Sequence, residues 1–154
     1  MPVSEPKFVN GRAMLLTGLR RTQAYNEMQA GIPKQWDEFN ERRKNIKQKS
    51  PVTYGVSCGA SAAGIDYMCA YEVDSFDEAP ADFGRVKVEP QRYAVFTHTG
   101  NISSIGSEFN YIIDEWLPNS GFQSAHKPDF ELYDERYDAS TGDGDVEIWI
   151  SIAE

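Results

Sequence analysis

Glu131 lies in the stretch KPDFELYDER, residues 127–136, between Phe130 and Leu132 and two residues before Tyr133. In an extended segment side chains alternate, so Phe130 and Leu132 share one face while Asp129, Glu131 and Tyr133 share the other. A carboxylate beside a phenol has two readings. It is an ordinary charged residue facing water, or it lines a cavity and holds a cation. Aromatic faces attract a cation through their quadrupole, and an acid in a partly dry cavity adds a full countercharge. Together they suit a flat or lipophilic cation without a dense set of hydrogen bonds.

Other segments supply aromatic residues that could join this acid. Near the C-terminus, Ile148, Ile150 and Ile152 alternate with Glu147, Trp149 and Ser151, and the isoleucines read as the core side. Trp149 is then expected on the open side with an acid, as at Glu131. In the first half, Tyr67, Cys69, Tyr71 and Val73 share a face, and Tyr54 falls on a neighbouring strand. The expected set is Tyr54, Tyr71, Tyr133 and Trp149 around Glu131. The alternative, left open by periodicity, is an exposed Glu131 among ordinary half-buried tyrosines.

Most other catalytic chemistry lacks its signature. The chain has no glycine-rich dinucleotide loop, no phosphate loop, no nucleophile elbow and no pair of His or Cys at metal-ligand spacing, so no cofactor is expected. His126 falls in a loop, and His98 in FTHTG stands where a strand hands over to a helix, so an exposed or capping role is expected for each. His98 would act as a general base only with a partner nearby, and the sequence names none. Cys58 and Cys69 sit in apolar, strand-like surroundings and read as buried free thiols.

Two runs of elements would position these residues. Phe8 to Arg20 reads as a strand broken or bent at Gly11, and Ile32 to Ile46 as a helix with Pro33 in its first turn. Thr53–Cys58 and Ile65–Val73 are strands joined by GASAAG. Arg85 to Gly100 is extended chain interrupted at Pro90. Next, Ile102, Ile105, Phe109, Ile112, Ile113 and Trp116 recur at helical spacing until Pro118, Asn119, Ser120 and Gly121 stop the helix. Phe130–Glu135 and Val146–Ile152 are strands flanking a turn rich in Gly and Asp.

The order β-α-β-β thus occurs twice, and Glu-Phe-Asn recurs on both helices, at 38–40 and 108–110. An internal duplication follows, with halves 1–83 and 84–154 forming a single 1–154 domain. The expected class is α+β, an antiparallel sheet with two main helices and a ligand cleft between the halves.

The totals exclude several roles. At 154 residues, 40% hydrophobic and 25% charged, the chain folds as one ordinary globular domain without a disulfide scaffold. No apolar run approaches the roughly 18 residues that cross a bilayer, and the opening MPVSEPKFVNGR lacks the apolar core of a signal peptide. A cytoplasmic protein with no membrane partner is expected. A net charge of −9 and a pI near 4.7 argue against direct nucleic-acid binding. The one basic cluster, Arg42, Arg43, Lys44, Lys47 and Lys49, falls toward a helix end, where cations favour the dipole.

YAVFTHTG (93–100), EWLPNSGF (115–122), PDFELYDE (128–135) and EIWISI (147–152), in that order, resemble the GyrI-like effector-binding family. That family includes the ligand-sensing domains of AraC-type and MerR-type multidrug regulators, gyrase-inhibitor-like proteins and some small hydrolases. Residues 93–152 carry the resemblance, and in residues 1–83 mainly the element order agrees. It implies a duplicated β-α-β-β fold with a cleft in which Glu131, the acid of the Phe-Glu-hydrophobic-Tyr strand, pairs with lipophilic cations. By strand position it implies pocket walls at Tyr54, Tyr71, Tyr133 and Trp149. Trp36 and Phe109, from the two helices, are candidates for the cleft or for the core.

Three functions are compatible with this reading. The first is a stand-alone binding protein for lipophilic, drug-like cations. The second is a small hydrolase with Glu131 as general base and Tyr133 or Trp149 holding the substrate. The third is a gyrase-inhibitor-like module whose acidic surface binds a protein partner. No helix-turn-helix segment flanks the domain, so any role in transcription regulation is expected to run through a partner regulator or through sequestering the ligand.

Overall fold

Glycine, proline and polar turns cut the apolar runs into short strands, and the partners those strands take define the architecture. In the computed structural model, which describes residues 3–154, the main elements are β1 (Lys7–Gly11), β2 (Met14–Gln23), α1 (Met28–Arg43), β3 (Thr53–Ser61), β4 (Gly64–Val73), β5 (Gly84–Val88) and β6 (Gln91–His98). Then come α2 (Ile105–Tyr111), a π-helical turn (Ile112–Trp116), α3 (Leu117–Asn119), β7 (Gln123–Ser124), β8 (Asp129–Tyr133), β9 (Tyr137–Asp138), β10 (Asp143–Gly144) and β11 (Val146–Ala153). The class is α+β with antiparallel pairing throughout.

The chain divides into two compact units, Ala13–Glu89 and the described residues through Arg12 with Pro90–Glu154. They differ from the sequence halves 1–83 and 84–154 by one strand each. β1 pairs with β6, and β5 pairs with β2, so each half gives its first strand to the other unit. Pro90, which cannot donate a ladder hydrogen bond, separates β5 from β6 at this exchange.

In the Ala13–Glu89 unit the strands run β3-β4-β2-β5. One face carries Leu19, Tyr67, Cys69, Tyr71 and Val73 against Phe39 of α1 and Phe83, with Trp36 and Ile32 packed on their edge. The buried Gln35 fastens α1 to the sheet, donating from Nε2 to the carbonyls of Leu19 and Tyr67, both at 2.9 Å. The opposite face carries Leu16, Val56, Met68 and Ala70, each wholly buried. The helix begins four residues before its expected start and ends at Arg43 rather than Ile46. Pro33 therefore lies inside it, on the exposed side, where it cannot donate to the Gln29 carbonyl one turn earlier.

The other unit repeats that order as β8-β11-β6-β1. Ala94, Phe96, Ile148, Ile150 and Ile152 face the helical segment through Ile112 and Leu117. The segment keeps the expected apolar stripe but widens by one residue per turn over Ile112–Trp116, and it continues through Pro118 before Gly121, at φ 85°, ends it. Here too the second sheet face is covered. Tyr93, Phe130 and Trp149 form a ring cluster on it, with centroids 5.2–5.4 Å apart.

Candidate functional site

Strand β8 pairs with β11 so that Phe130 opposes Trp149, Glu131 opposes Ile148 and Leu132 opposes Glu147. Opposed residues share a face. Glu131 therefore shares the helix-bearing face with Ile148 and Phe96, and Tyr133, two residues on, lies on the same side. Both are half-buried, and the Tyr133 hydroxyl donates to Glu131 Oε1 at 2.9 Å. Beyond them Tyr137 sets its ring edge-on to Tyr133, with centroids 5.0 Å apart. Burial first, then Asp138, Asp143 and Glu131, push the Tyr137 phenol up from its ordinary value. One carboxylate and two tyrosine rings thus lie together, all three residues half-buried.

The register corrects the expected grouping. Trp149 lies on the face opposite Glu131, stacked on Phe130, with its Nε1 donating to Glu147 Oε1 at 2.9 Å. The expectation assumed that Phe130, Leu132 and the isoleucines marked one common core face. Both faces of this sheet are buried, so apolar residues mark neither. The same holds for the first half: Tyr54 opposes Ala70 and faces away from α1, whereas Tyr71 faces α1.

Tyr71 is 1% exposed and packs on Phe39 and Phe83, with centroids 6.3 and 6.4 Å away. Trp36 packs edge-on to Phe39 and donates from Nε1 to the Tyr67 hydroxyl at 3.1 Å. Phe109 packs against the Phe96–Ile148 cluster. Core packing accounts for all three placements. Tyr137 was missed because it follows strand β8 in a polar turn, where alternation gives no signal.

His98 also departs from the exposed or capping role expected for it. As the last residue of β6 it is 1% exposed, and its Nδ1–H donates to the carboxylate of Glu108 on α2, which is itself nearly buried. The Ser104 hydroxyl adds a bond to the same Glu108 oxygen at 3.3 Å. In the Ala13–Glu89 unit the matching glutamate, Glu38, pairs with Arg21 of β2 at 2.8 Å. The repeated Glu-Phe-Asn thus places an acid from each helix against a basic residue on the preceding strand, exposed once and buried once.

The sequence signature of the GyrI-like small-molecule-binding domain matches residues 4–153. The chain belongs to this family. The transcriptional regulator BrlR of Pseudomonas aeruginosa is 32% identical over 104 residues, covering 66% of this chain but only 38% of the regulator's length. The solved structure of SAV2435 bound to tetraphenylphosphonium superposes with a TM-score of 0.77 at 18% identity, covering 97% of this chain and 94% of that one. A second solved structure, of a protein from Staphylococcus aureus MU50, gives 0.73 at 17% identity over 98% and 99% of the two chains. At these identities the two structures support the fold.

Several other charged groups of this GyrI-like domain have structural partners. Arg42 holds Asp82 in a two-bonded pair at 2.9 and 3.0 Å, Lys44 meets Glu41 and Lys49 meets Asp74, so three cations of the basic cluster are paired with acids, while Arg43 lies over the Phe39 ring. An open hollow of about 380 Å³ beside it, lined by Glu41, Arg42, Asn45, Ile46 and Pro80, has no aromatic ring in its lining. Cys69 is wholly buried, and Cys58, half-buried at the bulge between Ser57 and Gly59, has its thiol pushed up to about 11 by burial. It is a poor nucleophile at neutral pH.

Asp129, at the start of β8, accepts a hydrogen bond from the Ser151 amide at 2.7 Å, yet burial pushes its carboxyl up to about 6. The sign follows from linkage. Below the ordinary carboxylate value near 3.8 the group is protonated folded or unfolded and has no effect. Between that value and about 6 only the unfolded chain gives up the proton, so stability falls as pH rises, and above about 6 the loss is complete. At 1.36 kcal/mol per decade of proton affinity, the gap is worth up to about 3 kcal/mol. Asp129→Asn keeps an acceptor for the Ser151 amide and removes the charge. Urea unfolding should show the variant more stable than wild type at pH 7.5 and equal to it near pH 3.5; equal stability at both values would contradict this placement of the acid.

Proposed function

We propose that this small-molecule-binding domain takes lipophilic organic cations, with Glu131 as the countercharge and Tyr133 as the adjoining aromatic wall. The observation that carries the reading is the Tyr133 hydroxyl bonded to Glu131 Oε1 at 2.9 Å on a half-buried face. That bond fixes the carboxylate's orientation in advance, so a ligand does not spend binding energy immobilising it. Partial burial lowers the local dielectric and strengthens attraction to a cation relative to water. A diffuse charge spread over aromatic rings is cheap to strip of water, whereas a compact ammonium is not.

Support from outside this chain comes from SAV2435, which carries tetraphenylphosphonium in the same fold. Among the described residues no helix is long and apolar enough to cross a membrane. A regulator relative such as BrlR suggests that ligand occupancy is read by transcription machinery, directly or through a partner.

Calorimetry with two ions of one shape tests the proposal. Tetraphenylphosphonium and tetraphenylborate share four phenyl rings and differ in charge sign. A hydrogen-bonded charge contact is worth about 1.5–3 kcal/mol, so the phosphonium should bind at least tenfold more tightly. Equal affinities, or preference for the borate, would exclude a cation site.

A further inference from the structure

We infer that Tyr137 is a specificity-determining wall of the Glu131 site and that Asn101 is the positioning residue that holds it there. The inference rests on the cation-binding reading above and adds a residue and a device to it. Tyr137 lies outside β8, on the two-residue strand β9, so its place beside Tyr133 depends on how the β9–β10 hairpin is anchored.

The anchoring is specific. Within the hairpin, Tyr137 opposes Gly144 and Asp138 opposes Asp143. Gly144 has φ 130°, and a Cβ there would sit 2.1 Å from the Arg136 carbonyl, so only glycine lets β10 lie this close to the chain entering β9. The hairpin is then sewn to the junction between β6 and α2. The Ile102 amide donates to the Gly142 carbonyl at 2.7 Å, and the Gly144 amide donates to the Gly100 carbonyl at 3.0 Å.

Asn101 joins both structures through one side chain. Its Oδ1 accepts from the Ser103 amide at 3.0 Å, capping the helical segment, while its Nδ2 donates to Asp143 Oδ1 at 2.9 Å. Moving the hairpin therefore breaks the Nδ2 bond without requiring the helix to uncap. The edge-on contact with Tyr133 places the Tyr137 ring against the phenol that orients Glu131. A rigid aromatic corner beside a carboxylate favours cations that carry aryl rings over alkyl ones, because aryl rings add edge-to-face contact with both tyrosines to the charge attraction that either cation makes.

The test uses the full chain, with tetraphenylphosphonium and tetrabutylammonium as probes, and four variants. Tyr137→Leu should lose about tenfold in phosphonium affinity and little for tetrabutylammonium, and Tyr137→Phe should retain wild-type affinity because the ring face is kept. Asn101→Ser keeps a capping oxygen and loses the donor to Asp143. It should lower phosphonium affinity severalfold, speed hydrogen exchange at the Gly144 amide and leave the urea midpoint nearly unchanged. Glu131→Gln separates the two claims. If it abolishes cation preference while Tyr137→Leu binds both probes like wild type, this inference fails and the site reading stands. If wild type does not bind the phosphonium, both fail.

Discussion

Glu108→Ala should lower folding stability by about 3–5 kcal/mol, enough to leave much of the protein unfolded at moderate urea. The substitution leaves the His98 imidazole, 1% exposed, without the carboxylate that accepts from Nδ1. Its other nitrogen, Nε2, is buried and has no hydrogen-bond partner among the described residues, so the bond to Glu108 is the one that satisfies the ring. Removing one member of a buried ionisable pair strands the other, which costs more than the pair contributes. The same reasoning predicts partial recovery when both are replaced. His98→Leu combined with Glu108→Leu should be markedly more stable than Glu108→Ala, because no polar group is then left unsatisfied. Urea unfolding of the two variants checks this; a Glu108→Ala midpoint within error of wild type would contradict it.

Glu131→Gln should behave in the opposite way, with a small effect on stability and a large one on binding. The glutamine keeps an oxygen for the Tyr133 hydroxyl, which sits 2.9 Å from Oε1, so the local packing is preserved. What it removes is the charge. Loss of a charge contact of about 1.5–3 kcal/mol should weaken tetraphenylphosphonium binding about 10- to 100-fold. Tyr133→Phe should cost less, since the ring remains and only the bond orienting the carboxylate is lost. If Glu131→Gln unfolds the chain instead, the acid is a structural residue.

Much of this architecture was legible in the sequence because helix stripes and turn residues act locally. The Ile102–Trp116 spacing, the break at Gly11 and the interruption at Pro90 all mark element boundaries in the structure. Strand exchange was not legible, since nothing within Lys7–Gly11 specifies β6 rather than β2 as its partner. The side assignment of Trp149 failed for a different reason. Alternation identifies a core face only when the other face is wet, and in both units the two faces of the sheet are buried.

The helix ends illustrate a weaker misreading. Pro33 marks a first turn in most helices, but on an exposed side it is tolerated further in, and α1 starts at Met28. His98 and Tyr137 show where single-sequence reading stops. The partner of His98 is ten residues away across a strand-to-helix junction, and Tyr137 meets Tyr133 from a separate hairpin that is bonded to residues 100–102. Glu131 and Tyr133 were legible as neighbours on one face because they are two residues apart on a strand, and the structure joins them by a hydrogen bond.

The most direct measurement crosses ligand charge with residue charge: calorimetric affinities of tetraphenylphosphonium and tetraphenylborate for the wild type and for Glu131→Gln. Opposed phenyl-matched ions cancel hydrophobic and shape contributions, and the comparison with Glu131→Gln separates the one charge contact from the chain's net charge of −9. The prediction is a wild-type preference for the phosphonium of at least tenfold that collapses toward unity in Glu131→Gln. The same preference in both proteins would place the countercharge elsewhere and contradict the assignment of Glu131.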